Sequence, residues 1–340
     1  VLKRSEELDI NSLYEAKTIE VLQHAELPAG PVSPSLPINL AIGLALGLLL
    51  GGGLIVLIDS LDNTVRAEND VLRTTNKPIL GHLPQIDQTL LNEFGSIDTM
   101  TEIAPRSSFA EGIKTLRTNL RFMAPDNPPE MLLVTSPGPG EGKTLISINM
   151  AIAMAQSGLR TLIVDSDMRR PRVHKALGLV NEVGLSTLIL GKKKLEEVVQ
   201  TTGTENLFAV SCGEIPHNPL ELLHTESFQK VIAEMREKYD RVIFDSPPLA
   251  AVSDGLVLSH SVDAVVLILK FGQTRKELLK RSIEQLEAIG APFMGCVLND
   301  ISADAGSAYA YSYYYYRYRY EEGDEDGGKK KSKKPTRLAS

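Results

Sequence analysis

Val134-Thr-Ser-Pro-Gly-Pro-Gly-Glu-Gly-Lys-Thr144 is the stretch that decides the reading of this chain. It follows an apolar run, Met131–Thr135, and precedes an apolar-periodic helical stretch from Leu145 to Ser157. Glycines 138, 140 and 142 let backbone N–H groups turn inward around phosphate oxygens. The start of the following helix adds positive dipole at the same point. Lys143 is placed to reach β- and γ-phosphates, and the Thr144 hydroxyl to hold Mg²⁺. One departure from Gly-x4-Gly-Lys-Thr is visible: Pro137 stands where the first glycine is usual. An ordinary Gly/Pro turn is the plain alternative, and the strand-loop-helix context argues against it.

Two further acidic segments end apolar runs. Leu162-Ile-Val-Asp-Ser-Asp-Met-Arg169 puts Asp165 and Asp167 just past one strand, and Val242-Ile-Phe-Asp-Ser-Pro-Pro248 puts Asp245 past another. Carboxylates beside a nucleotide phosphate repel it unless a cation intervenes, so the trio implies Mg²⁺ together with ATP. Strand-like runs at Thr161–Val164, Leu207–Val210, Arg241–Phe244, Ala264–Leu269 and Gly295–Leu298 alternate with helical patterns. Short, continuously apolar strands of this kind are buried on both faces. The expected fold class is therefore α/β, a doubly wound, mostly parallel sheet of the P-loop NTPase type with a deviant phosphate loop.

Upstream the pattern changes. No charged residue occurs from Leu27 to Ile58, and Ile38–Ile58 is almost purely apolar. About 20 such residues cross the hydrocarbon of a bilayer, so residues 37–58 are expected to form a transmembrane helix. Prolines 28, 31, 34 and 37 make a stiff lead-in. Residues 1–36 then read as the end of an extracytoplasmic domain plus that lead-in, residues 59–105 as a cytoplasmic linker with a short strand at Ile79–Leu83, and residues 106–305 as the nucleotide domain. Flanking basic residues barely orient the helix. The nucleotide site and the two unspaced cysteines, Cys212 and Cys296, place residues 59–340 inside the cell.

The 340-residue chain carries a net charge of −7, so no basic surplus supports nucleic-acid binding. Its end is compositionally distinct. Eight of the ten tyrosines fall at Tyr309, Tyr311, Tyr313, Tyr314, Tyr315, Tyr316, Tyr318 and Tyr320, followed by acidic Glu321–Asp326 and a lysine-rich patch at Lys329–Lys334. Residues 306–340 lack a periodic apolar face and are expected to be a disordered tail.

The phosphate loop, Asp-Ser-Asp-Met-Arg-Arg-Pro at 165–171 and Asp-Ser-Pro-Pro at 245–248 together resemble the bacterial tyrosine kinases of polysaccharide export. The likeness extends over most of the chain, through Leu80-Gly-His-Leu-Pro84, Gly184-Leu-Ser186, Asn218-Pro219 and the terminal tyrosines. It implies ATP and Mg²⁺ held by Gly138, Pro139, Gly140, Glu141, Gly142, Lys143, Thr144 and Leu145. It implies Thr144, Asp167 and Asp245 as metal ligands, and Lys143, Asp165, Asp167 and Asp245 as the catalytic set. Asp165 is the group expected to orient or deprotonate tyrosine, and the eight tail tyrosines are the acceptors. Asn299 either faces adenine, as the resemblance implies, or caps a turn. The family's Glu-x2-Arg-x2-Arg ring-assembly motif reads Glu111, Lys114 and Arg117 here; lysine keeps the charge and loses the bidentate fork.

The implied partners are a homo-oligomeric ring, the chain's own or a neighbour's tyrosine tail, the inner membrane, a polysaccharide export machine and a tyrosine phosphatase. Two other readings compete. A partitioning or septum-positioning ATPase shares the loop but carries a second lysine near its start, where Gly138 stands here. A polysaccharide co-polymerase could use the nucleotide domain only as an assembly switch.

Overall fold

Eight strands form one sheet in the order β1-β8-β7-β2-β6-β3-β5-β4, in a computed structural model that describes residue 30 and residues 34–302. The strands are β1 Ile79–Pro84, β2 Met131–Thr135, β3 Thr161–Asp165, β4 Val199–Thr201, β5 Leu207–Val210, β6 Arg241–Asp245, β7 Ala264–Lys270 and β8 Phe293–Ile301. Every pairing is parallel except β4 with β5. β2 and β3 are buried at every residue, as a sheet covered on both faces requires. The doubly wound α/β expectation is borne out, and β4 is an antiparallel edge that its three-residue pattern did not announce.

The chain divides into two compact units, Val1–Asp62 and Asn63–Ser340. In the first, helix α1 runs Leu36–Leu61, and its stretch Leu36–Ile58 is 23 residues long, apolar and unburied. It is long and apolar enough to cross a membrane.

The second unit holds the sheet and helices α2 Glu68–Thr75, α3 Gln88–Phe94, α4 Met100–Ile103, α5 Ser108–Met123, α6 Lys143–Ala155, α7 Val173–Ala176, α8 Leu185–Ile189, α9 Leu195–Val198, α10 Pro219–Leu223, α11 Glu226–Lys238, α12 Asp254–Ser259 and α13 Lys276–Ala288. Two apolar clusters lie on either side of the sheet. One joins α5 and α6 through Ile113, Leu116, Ile148 and Ile152; the other joins α11 and α13 through Phe228, Met235, Leu279 and Leu286.

This arrangement revises the expected boundary. Residues 59–105 are not a linker outside the nucleotide domain, because β1 pairs with β8 and closes one edge of the sheet. Leu80 and Leu83 are buried under α5. The segment from residue 63 is stitched in as well: the Val65 N–H donates to Thr274 O at 2.8 Å and Lys276 N–H to Asn63 O at 2.9 Å. The terminal tyrosines, the acidic patch and most of residues 1–36 lie outside the described residues.

Gly184 shows how tightly the second half is packed. Leu185 N–H donates to Ser211 O at 2.8 Å and Ser186 N–H to Cys212 O at 3.0 Å, so the start of α8 lies against the end of β5. A Cβ on Gly184 would sit 2.0 Å from Ser211 O and 2.5 Å from Gly213 N, both backbone atoms that cannot rotate away. Gly184→Ala is expected to cost about 1–3 kcal/mol by overpacking. Thermal unfolding should read this as a fall of roughly 3–10 °C for a domain of this size; an unchanged midpoint would contradict the contact.

Candidate active site

Parallel strands all end at one edge of a sheet, and ligands of such sheets bind outside those carboxyl ends. Here β2, β3 and β6 are neighbours, with Val134 in register with Asp245 and Asp165 in register with Asp245. The phosphate loop leaves β2 at this edge and enters α6 at Lys143. Gly140 and Gly142 take φ values of 78° and 96°, which side chains rarely tolerate. A cleft of about 660 Å³ opens there. Pro139, Gly140, Gly142, Lys143, Thr144 and Leu145 line it from the loop, and Asp167, Arg169, Arg170 and Arg172 line it from the segment after β3.

The carboxylates behind this cleft are crowded and dry. Asp165 is fully buried and Asp245 is 1% exposed. Asp245 accepts from the Thr144 hydroxyl at 2.6 Å and from the Ser147 hydroxyl at 3.1 Å. Burial nevertheless pushes its carboxyl up to about 6, only partly opposed by those bonds and by Lys143. Asp165 is shifted well above the usual carboxylate range, first by burial and then by the neighbouring Asp245. Its Oδ2 accepts backbone N–H groups of Arg172 and Val173, both at 3.0 Å. Its Oδ1 is buried with no hydrogen-bond partner among the described residues. Asp167 caps its own turn through the N–H groups of Arg169 and Arg170.

Three expected nucleotide residues take other positions. Gly138, Glu141 and Asn299 are not among the residues lining the cleft. The Glu141 carboxylate folds back to accept the Gly138 N–H at 2.9 Å and the Thr274 hydroxyl at 2.5 Å. The Asn299 amide is buried and donates to Glu141 O at 3.0 Å. A Cβ on Gly142 would meet that amide at 2.3 Å. These side chains brace the loop from behind, and burial raises the Glu141 carboxyl despite its partners. Glu111 and Lys114 pair with each other at 2.6 Å, and Arg117 donates to Ala153 O at 2.6 Å, so within one copy this trio serves α5 and α6.

Residues that sequence reasoning passed over complete the site. Asp254, 1% exposed, receives a two-pronged bond from Arg169 at 2.8 and 3.1 Å and fixes the arginine at the cleft mouth. Asn149, on the buried face of α6, accepts from Thr101 N–H and donates to Asp98 O, which holds the 97–98 wall of the cleft. The one available signal was a lone asparagine among apolar helix positions.

The chain is 36% identical over 214 residues to the tyrosine-protein kinase YwqD of Bacillus subtilis, covering 63% of this chain and 90% of that protein. It belongs to the bacterial tyrosine-protein kinase family. It is 30% identical to the tyrosine-protein kinase Etk of Escherichia coli, across 91% of this chain but 44% of that protein, so it spans less than half of that longer relative. Residues 130–289 match the family model described as an AAA domain. Among solved structures, the kinase domain of Escherichia coli tyrosine kinase ETK superposes with a TM-score of 0.66 at 29% identity, over 72% of this chain and 97% of that one. The chimeric protein CapA2B2 does so with a TM-score of 0.64 at 33% identity, over 69% and 100%.

The buried pair makes the kinase unit sensitive to pH. Both carboxyls hold protons more tightly folded than unfolded, so the stability present near the unfolded value of 3.8 is lost as pH rises through the folded ones, about 6 for Asp245. Asp165→Asn removes one charge and keeps an acceptor for Arg172 and Val173. Without added nucleotide or metal, its melting temperature should exceed the parent's at about pH 7.5, with the gap closing toward about pH 4. A gap that stays constant with pH would refute the electrostatic origin.

Proposed function

We propose that this chain transfers the γ-phosphoryl group of Mg-ATP to tyrosines of its own tail, in trans or in cis. The observation that carries this reading is the buried Asp165–Asp245 pair beside Lys143. Two adjacent buried carboxylates draw positive charge to this point, and Asp165 Oδ1, without a hydrogen-bond partner among the described residues, is left to meet an incoming hydroxyl. Among the described residues no three His, Cys, Asp or Glu side chains converge on a metal by themselves. That fits Mg²⁺, which keeps several waters and takes phosphate oxygens.

When bound, Mg-ATP supplies the transferable phosphoryl group and the cationic charge that the carboxylates lack. The chain's own residues do the rest. Gly140 and Gly142 open the loop so that its N–H groups cradle phosphates, and Lys143 stabilises charge on the transferred group. Thr144, Asp167 and Asp245 are the proposed metal-holding groups; the Thr144 hydroxyl is already fixed by Asp245. Asp165 orients the tyrosine hydroxyl and accepts its proton on Oδ1, a role helped by its raised affinity for protons. Such a reaction needs positioning and charge neutralisation more than covalent help.

In this reading Tyr309–Tyr320 are the acceptors, and α1 anchors the enzyme in the cytoplasmic membrane with the kinase unit on the cytoplasmic side. Glu111, Lys114 and Arg117 serve contacts in a ring of identical subunits. The setting is export or chain-length control of a capsular or extracellular polysaccharide, with a phosphatase resetting the tail. Asn299 acts on the nucleotide through the loop it braces.

Incubating the detergent-purified chain with Mg-ATP and locating phosphotyrosine by mass spectrometry tests the core of the proposal. Phosphate is expected within Tyr309–Tyr320 of the parent, with a loss of at least about a hundredfold in Lys143→Met. Nucleotide binding with no modified tyrosine would favour an assembly switch instead.

A further inference from the structure

A second cavity, of about 410 Å³, lies at the opposite end of the sheet from the cleft. Its lining includes Leu132 near the start of β2, Leu159 just before β3 and Arg241 at the start of β6, which are amino ends of parallel strands. The floor is apolar: Leu120, Leu132 and Met154 are almost wholly buried. The rim carries three guanidinium groups, Arg117, Arg121 and Arg241, and Phe122, which is 72% exposed. No hydrogen bond or ion pair ties the Arg121 side chain to any described residue. Nearby carboxylates are engaged elsewhere: Glu130 pairs with Arg236, and Asp240 accepts the Arg160 N–H. Asp126 is on the adjoining loop but does not line the cavity.

An apolar floor under a cationic rim selects an aromatic group flanked by carboxylates. This chain carries that pattern in Tyr318-Arg-Tyr320-Glu-Glu322-Gly-Asp324. In an extended segment alternate side chains share a side. Tyr318, Tyr320, Glu322 and Asp324 would then face one way, two rings followed by two carboxylates, while Arg317 and Arg319 face the other. The tether is long enough. From Ser302, the last described residue, to Tyr320 is 18 residues, or roughly 60 Å when extended. β8, from whose carboxyl end the tail departs, is nine residues and about 30 Å long. A segment joined to the same chain also competes at a high effective concentration.

We propose that this basal groove docks residues 318–324 of the chain's own tail. Docked there, Tyr318 and Tyr320 lie at the amino ends of the strands, away from Lys143 at the carboxyl ends. The groove thus withholds the last two tyrosines from the cleft. Docking itself involves no phosphoryl transfer, so it stands or falls separately from the kinase reading.

Cysteine cross-linking in the detergent-solubilised full chain tests it. Both native cysteines are buried, and burial pushes the Cys212 thiol up to about 12, so neither competes for mild oxidant. Thr118→Cys, on the groove, is combined with Tyr320→Cys; Lys192→Cys with Tyr320→Cys is the exposed control. The intramolecular disulfide is expected to form at least about tenfold faster at position 118 than at 192. Glu322→Lys with Asp324→Lys leaves the folded unit untouched and should bring the rate down to the control. Adding Arg121→Glu and Arg241→Glu to that tail should restore much of it. Equal rates at 118 and 192, or indifference to the tail charges, would overturn the proposal. Cross-links found only in dimers would overturn it too, assigning the groove to another copy's tail.

Discussion

Two buried carboxylates in register on adjacent parallel strands set the terms for everything around the cleft. Asp165 on β3 and Asp245 on β6 could not both ionise cheaply in a dry interior. The fold answers with what it has: hydroxyls of Thr144 and Ser147 on Asp245, and backbone N–H groups of Arg172 and Val173 on Asp165. These bonds do not return either group to the usual carboxylate range. The residual penalty is a bias toward binding positive charge at this point. A site that is electrostatically unfinished without its ligand gains stability when that ligand arrives.

The phosphate loop depends on a second buried acid. Glu141 fixes Gly138 from behind, and its own position rests on Thr274. Thr274 in turn receives, on its backbone oxygen, the Val65 N–H from the segment that opens the kinase unit. Lys276, two residues on, pairs with Asp70 at 2.8 Å. The loop geometry is therefore supported by a chain of contacts that begins at residues 63–70. This explains why the compact unit starts there and not at the amphipathic helix α5.

How much of this was legible follows the range of the interactions. The loop, the two aspartate segments and most strands are local patterns, each readable within about ten residues. The start of helix α5 at Ser108 is equally local, because the Ser107 hydroxyl accepts the Ala110 N–H as a cap. What escaped were roles set by distant partners. β1 looked like a short strand in a linker because its pairing strand lies some two hundred residues away. Glu141 reads as a cleft residue in any loop motif, and only Thr274 shows that its carboxylate faces inward. Asp254 carried no signal beyond a helix start, yet it holds Arg169 in place.

The direction of the sheet gives the molecule two chemically different ends. At the carboxyl ends, loop N–H groups, Lys143 and the aspartates make a polar cleft for an anion and its counterion. At the amino ends, short connections from Pro125 to Leu132 and from Ser157 to Leu159 leave apolar floor under arginines. Both ends favour negative charge, but they differ in what accompanies it. The cleft is built of flexible glycine backbone beside buried acids, which suits phosphate with a cation. The basal groove has aliphatic side chains beside the exposed Arg121 and the half-buried Arg117 and Arg241, which suit an aromatic acidic peptide. A chain whose last described residue lies beyond the carboxyl end of β8, and whose following residues are rich in tyrosine and then in acids, thus carries one segment with chemistry for each end.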